Sequence, residues 1–279
     1  MSGLAGACAG AGRPLNAVWE ALLTASEAGE RVALATVVGV EGSAPRHGGA
    51  RMVVWPDGRI VGTIGGGTLE HRVIAEAQEA LLAGRPRRYA VNLTRDLGMC
   101  CGGAMEVYIE PQEPRPHLIL FGAGHVALAA GRQADALSFR VTVVDDREDW
   151  NSPERFPFAE RLLVDARAYA RTLDGAPTRW VFVTTHEHAL DQDLIEILLP
   201  RAWAWIGLIG SKVKVTRFFL RLRAAGMDPA RFASLRSPVG LDIGAETPEE
   251  IAVSVAAQWV QVRRQKGGLV PPLVIPTVP

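Results

Sequence analysis

Cysteine is scarce, and neither sign of charge is in excess. The 279 residues carry 3 cysteines, and 30 basic residues balance 30 acidic ones. So few cysteines, without a spacing framework, exclude a disulfide-stapled fold and fit a reducing compartment. The even balance excludes the basic field that holds nucleic acid or an anionic membrane. No apolar run approaches the roughly eighteen residues of a spanning helix. The opening stretch MSGLAGACAGAGRPLN has neither a basic start nor a sustained apolar segment. It reads as a tail rather than a signal peptide, and Cys8 within it is given no role. The expectation is a cytoplasmic protein that binds neither nucleic acid nor membrane.

What is present is apolar: 48% of the residues are hydrophobic, enough at this length for two cores. A helix is expected from about Leu15 to Gly29. RVALATVVGV reads as a strand, and RMVVW and RIVGTI as a hairpin around Pro56-Asp57-Gly58. A helix opens near Thr68, and RRYAVNLT and AMEVYIEP supply further strands. The predicted first domain, residues 1–112, is a small α+β unit with a largely antiparallel sheet. Three prolines in PQEPRP break the pattern and mark the linker.

Beyond it, apolar strands (HLILF, RVTVV, ERLLVDA, WVFVTT, AWIGLIG) alternate with helices (VALAAGRQADAL, DLIEILLP, KVKVTRFFLRLRAAG). Strands apolar on both faces imply a parallel, doubly wound, Rossmann-like sheet over residues 113–268. Thr247 as N-cap and Pro248 at the first position open a last helix, TPEEIAVSVAAQWVQVRR. A proline-rich tail, 269–279, is suited to docking or to disorder.

LFGAGHVA gives G-x-G-x-x-A between a strand and a helix. Gly122 allows the turn, Gly124 lets a phosphate approach, Ala127 permits close packing, and His125 opens the helix. Asp145 ends the next strand, where a ribose hydroxyl is accepted in dinucleotide sites. A Rossmann-like domain without a dinucleotide stands beside this NAD(P) reading. TTHEHALDQD holds His186, Glu187, His188, Asp191 and Asp193. A pocket-lining loop is preferred to a metal site because no third ligand has diagnostic spacing. Ser211 is read as a helix cap, with phosphate binding by Ser211 and Lys212 as the alternative. In the first domain GSAPRHGGA and GTIGGGTLE are glycine-rich, and Gly65, Gly66 and Gly67 are placed to form an anion nest. Arg46 supplies a fork for phosphate or carboxylate. Surface turns are the alternative.

Cys100 and Cys101 precede Gly102 and Gly103. Neighbouring thiols make a strained disulfide, and a zinc site lacks its second pair. A thiol beside glycines suits a soft metal or sulfur transfer, while buried filler is the ordinary role of cysteine.

Together GSAPRHGGARMVV, GTIGGGTLE, MCCGGAMEVYIEP, LILFGAGHVA, VVDDRED, WIGLIGSK and PVGLDIGAETPEEIAVS resemble the XdhC/CoxI family, in family order from about residue 30 to 260. These are accessory proteins in the maturation of molybdenum hydroxylases such as xanthine dehydrogenase. The resemblance implies a non-catalytic carrier that binds the molybdenum cofactor (molybdopterin), protects it during sulfuration and delivers it to the apo molybdenum hydroxylase. Cys101, beside Gly102 and Gly103, is then the cofactor-side and metal-side residue. Arg46 and Gly65–Gly67 hold the anion, and Gly122, Gly124, His125 and Asp145 form the Rossmann-like site. The named partners are the apo-enzyme, a cysteine desulfurase and, from the frequency of symmetric assemblies, a second copy in a homodimer. Two other readings stay open. One is an NAD(P)-dependent oxidoreductase with His186 as acid/base; the other is a sulfur carrier with a persulfide on Cys101.

Overall fold

The structure, a computed structural model, describes residues 14–98, 102–210, 212–224 and 226–264. The expectations for Cys8, Cys100, Cys101, Ser211 and the 269–279 tail lie outside these residues. The chain divides into two compact units between Pro114 and Arg115.

The first unit runs α1 (Pro14–Ala28), β1 (Val32–Glu41), β2 (Arg51–Val54), β3 (Ile60–Gly62), α2 (Gly67–Ala83), β4 (Arg87–Asn92) and β5 (Ala104–Gln112). Its sheet has the order β3-β2-β1-β5-β4, antiparallel throughout. Side chains alternate across a strand, and β1 uses both faces. Ala33, Ala35 and Val37 pack with Leu69, Val73 and Ala77 of α2. Val32 and Leu34 pack with Val18 and Ala25 of α1. The Asp-Gly hairpin forms as expected: Gly58 has φ 85°, and the Trp55 amide donates to the Arg59 carbonyl at 2.9 Å. Gly84, left-handed, stops α2 because it carries no Cβ to clash there.

The second unit runs β6 (His117–Phe121), α3 (His125–Ala136), β7 (Arg140–Val144), β8 (Glu160–Leu162), α4 (Ala166–Thr172), β9 (Ala176–Val183), α5 (His188–Leu198), β10 (Trp203–Leu208), α6 (Lys212–Ala224), a 3-10 turn (Pro229–Ser234), β11 (Leu235–Arg236) and α7 (Pro248–Arg264). All six strands are parallel, in the order β11-β10-β9-β6-β7-β8. This is the doubly wound Rossmann arrangement, and its topological switch point lies between β6 and β9.

Leu118 and Leu120 face the core shared with α3 and α7, whereas Ile119 and Phe121 face the core shared with α4, α5 and α6. Burial on both faces explains the unbroken apolar run of β6. The Thr247 hydroxyl accepts from the Glu250 amide at 3.2 Å, and the Glu250 carboxylate accepts from the Thr247 amide at 3.0 Å. This reciprocal capping box fixes the start of α7. Two boundaries differ from expectation. The strand within ERLLVDA stops at Leu162, and Asp165 instead caps α4 by accepting from the Ala168 amide at 2.7 Å. Helix α5 begins at His188, earlier than the apolar run DLIEILLP suggests.

Candidate functional site

Three stretches singled out in the sequence meet at one end of the first sheet. The loop after β1 touches both of the others. A Cβ at Gly103 would stand 2.3 Å from the Glu41 carbonyl oxygen and 2.4 Å from that of Ser43, so only glycine lets the chain enter β5 there. A Cβ at Gly65 would stand 2.6 Å from Pro45 Cγ, which joins the glycine run to the same loop. A Cβ at Gly102 by contrast meets nothing within 4 Å among the described residues. Arg46 is exposed, and among the described residues it has no hydrogen-bond or ion-pair partner. A cleft of about 420 Å³, lined by Gly39, Glu41, Asn92, Arg95, Ala104 and Glu106 among others, opens on the face of β1, β4 and β5 away from α2, and Arg46, Gly65–Gly67 and Gly102 are not among its lining residues. That volume is in the range of small-molecule sites.

The anion nest is already filled from within. Glu70 Oε1 accepts from the Ile64 amide at 3.1 Å, from the Gly66 amide at 2.8 Å and from the Thr63 hydroxyl. Burial pushes the Glu70 carboxyl up, but the Thr63 hydroxyl and the amides of Gly66, Ile64 and Gly65 together hold it below its usual range. The sequence reading of Gly65–Gly67 missed this internal anion, although Glu70 stands in the first turn of α2. Gly67 is exposed, and first-turn amides have no partner within a helix. An external anion at this end therefore has the first turn of α2 and Arg46 to bind, rather than the Ile64 and Gly66 amides.

In the second unit the motif residues gather at the switch point. Gly122 has φ 106°, and a Cβ there would stand 2.4 Å from the Thr184 carbonyl oxygen. Gly124 borders open space, and the exposed His125 sets its ring edge-on to Trp150 at 5.3 Å. The adjoining cavity, about 190 Å³, is lined by Gly122, Asp145, Arg147, Arg167, His186 and Glu187 among others.

Asp145 stands at the end of β7, as the motif predicts, but its carboxylate is engaged. Oδ2 accepts from the Ala123 amide at 2.8 Å and from Arg147 Nη2 at 2.7 Å. Oδ1 accepts from the Arg147 amide at 3.0 Å and from Arg147 Nε at 2.9 Å. Burial raises the Asp145 carboxyl, and the Arg147 side chain, with the Arg147 and Ala123 amides, overrides it and holds the pKa low. A carboxylate has about four lone-pair positions, so a ribose hydroxyl has to displace Arg147 to reach it.

The His-rich loop is similarly committed. Asp191, buried in the first turn of α5, accepts from the Thr185 hydroxyl at 2.7 Å and from Lys214 Nζ at 2.6 Å. Asp193 pairs with Arg167 at 2.6 Å. His186 lines the cavity, while His188 points outward with a side chain 80% exposed. Among the described residues no group of three or more His, Cys, Asp or Glu is placed to hold a metal ion. No helix among them is long and apolar enough to cross a membrane. Lys214 was not singled out in the sequence, because only the packing of α6 on α5 brings it to Asp191.

Comparison with known proteins agrees with this architecture. The chain is similar to YqeB of Escherichia coli, 41% identical over 85% of this chain and 44% of that protein; it thus spans less than half of that relative's length. It is 27% identical to the molybdenum cofactor insertion chaperone PaoD of Escherichia coli, over 88% of each chain. A crystal structure of a xanthine dehydrogenase from Bacillus halodurans superposes with a TM-score of 0.51 at 25% identity, covering 91% of this chain and 97% of that one. Residues 118–259 match the family model of the XdhC Rossmann domain. Residues 25–92, which hold two of the three converging loops, match that of the XdhC and CoxI family, and to that family the chain belongs.

Proposed function

We propose that this chain is a carrier in molybdenum-enzyme maturation. It binds the molybdenum cofactor as cargo, shields it while the metal gains its terminal sulfur, and delivers it to an apo molybdenum hydroxylase such as xanthine dehydrogenase. The observation that carries the reading is the convergence of the 42–50, 63–67 and 102–103 stretches at one end of the first sheet. The cargo has a terminal phosphate, a pterin and a soft metal centre. Arg46, partnerless among the described residues, and the first turn of α2 suit the phosphate. The 420 Å³ cleft on the other face of β1, β4 and β5 has room for a flat heterocycle, but Arg46 is not among its lining residues. Among the described residues nothing stands within 4 Å of a Cβ at Gly102, and the preceding residue in the sequence, Cys101, carries a thiol, a soft ligand. The name of PaoD supports the same class of role. The oxidoreductase reading draws less support, because Asp145 is closed by Arg147 and the switch-point cavity is small.

The test is retention. The protein is loaded anaerobically with molybdenum cofactor and desalted, and bound molybdenum and pterin are measured. Stoichiometric retention is expected, with loss in Arg46→Ala and Cys101→Ala. No retention in the unsubstituted protein sinks the proposal; equal retention in both variants moves the cargo away from this end of the sheet.

A further inference from the structure

Helix α7 buries Ala252, Val255, Ala256 and Trp259 in the core it shares with α3. Its opposite side is not uniformly polar. Val253 is 51% exposed and Val260 40%, with the half-buried Ala257 between them. Glu249 lies on the N-terminal side of this stripe and Arg264 on the C-terminal side. Among the described residues neither charge has a partner. Acids first and arginines last is what a lone helix prefers for its dipole. That preference does not account for two outward valines seven residues apart, two turns of helix.

The spacing is self-complementary. About a point midway between Ala256 and Ala257, Val253 mirrors Val260, Glu249 mirrors Arg264, and Glu250 mirrors Arg263. A second α7 laid antiparallel across that point puts valine against valine and acid against base at both ends. The small Ala257 at the crossing lets the axes approach closely. Glu250 and Arg263 are partly spent on the capping box and on the Leu137 carbonyl, so Glu249 and Arg264 form the outer pairs.

We propose that the outward stripe of α7 is a two-fold interface with a second copy of this chain. Such an isologous contact closes on itself. A single helix pair buries less than the standard interface of about 1,600 Å², so the dimer is reversible, with a dissociation constant on the order of micromolar. The proposal is independent of the cofactor reading.

Sedimentation of the full chain over a range of concentrations tests it. Val253→Glu and Val260→Lys change exposed positions, so circular dichroism should be unaltered. Each variant alone should dissociate, with affinity at least about tenfold weaker. Mixed in equal amounts, they should recover a dimer, because the carboxylate introduced in one copy then faces the ammonium introduced in the other. An unsubstituted chain that stays monomeric overturns the proposal and leaves the stripe to the chain's own residues 265–279 or to another protein. A dimer unaffected by both substitutions overturns it by placing the contact elsewhere. Two monomeric variants that fail to recover on mixing overturn the antiparallel register.

Discussion

The Gly66 amide donates to the Glu70 carboxylate at 2.8 Å, so the glycine run of the first unit is closed by an acid of its own helix. Glu70→Ala leaves the Ile64 and Gly66 amides and the Thr63 hydroxyl without their acceptor. A loss of about 1–3 kcal/mol is expected, the range for a donor left without its acceptor. The pH dependence has a fixed sign. The folded carboxyl titrates below its ordinary 4.5, so its contribution is complete above that value and disappears as pH falls through the depressed one. Urea unfolding at a series of acidic pH values should show the unsubstituted protein and Glu70→Gln converging as pH drops. A constant gap between them contradicts the assignment.

Gly102 and Gly103 are adjacent but opposite in what they tolerate. A methyl at Gly103 meets two backbone oxygens within 2.4 Å, and backbone cannot rotate away. Gly103→Ala should cost about 3 kcal/mol or more, at the upper end of overpacking effects. Gly102→Ala meets no described residue within 4 Å and should change stability by less than about 0.5 kcal/mol. If that side of Gly102 receives the cargo, the same substitution should still lower molybdenum and pterin retention. Thermal unfolding beside the loading assay separates the two effects. Unchanged retention in Gly102→Ala removes that position from the site.

The fold was legible wherever one local rule decided an element. The Asp-Gly hairpin, the Thr247–Pro248 start of α7 and the apolar parallel strands each carry their own signal in a few residues. Short elements did not show. Helix α4 spans seven residues and β11 two, too few for a period to emerge. The loops of the candidate site were legible as glycine-rich, but their meeting was not, since Gly103 and Glu41 are brought together only by β1–β5 pairing. The sequence reading also gives open roles to groups that tertiary structure occupies: Asp145 by Arg147 and the nest by Glu70. A motif specifies where a group stands, and its neighbours decide whether it is available.

Gly122 and Gly124 in the second unit allow a parallel separation of folding from binding. Gly122→Ala forces a Cβ onto the Thr184 carbonyl oxygen at φ 106°. Both clash and backbone strain act, so a loss of about 3 kcal/mol or more is expected. Gly124→Ala has an ordinary φ of −68° and, among the described residues, no neighbour within 4 Å. As an N-cap change it should cost no more than about 1 kcal/mol. Calorimetric titration of Gly124→Ala and the unsubstituted chain with NAD and NADP then reports on the site itself. Tight binding by the unsubstituted chain that Gly124→Ala weakens would revive the dinucleotide reading. Absence of binding in both is the outcome the closed Asp145 predicts.

His117 gives the second unit a separate pH signature. Thr142 Oγ1 donates to Glu160 at 3.0 Å, so it accepts from His117 Nε2 at 2.8 Å, and His117 Nδ1 accepts from Arg140 at 2.8 Å. A neutral ring satisfies all three contacts, whereas a second ring proton would point at the Arg140 guanidinium. Burial, then the charges of Arg140 and Arg179, push the His117 pKa from 6.5 to about 3. The unfolded chain therefore binds a proton that the folded chain refuses between these values. Stability from this group is complete above about pH 6.5 and falls as pH drops toward 3. His117→Gln preserves a donor and an acceptor and removes the titration, so its unfolding free energy should depend less steeply on pH in that window. In NMR the His117 ring signals of the unsubstituted protein should stay fixed from pH 8 to pH 5. A His117 midpoint near 6.5 would show that the ring accepts its second proton in place, and that the Thr142–His117–Arg140 chain is not held as described.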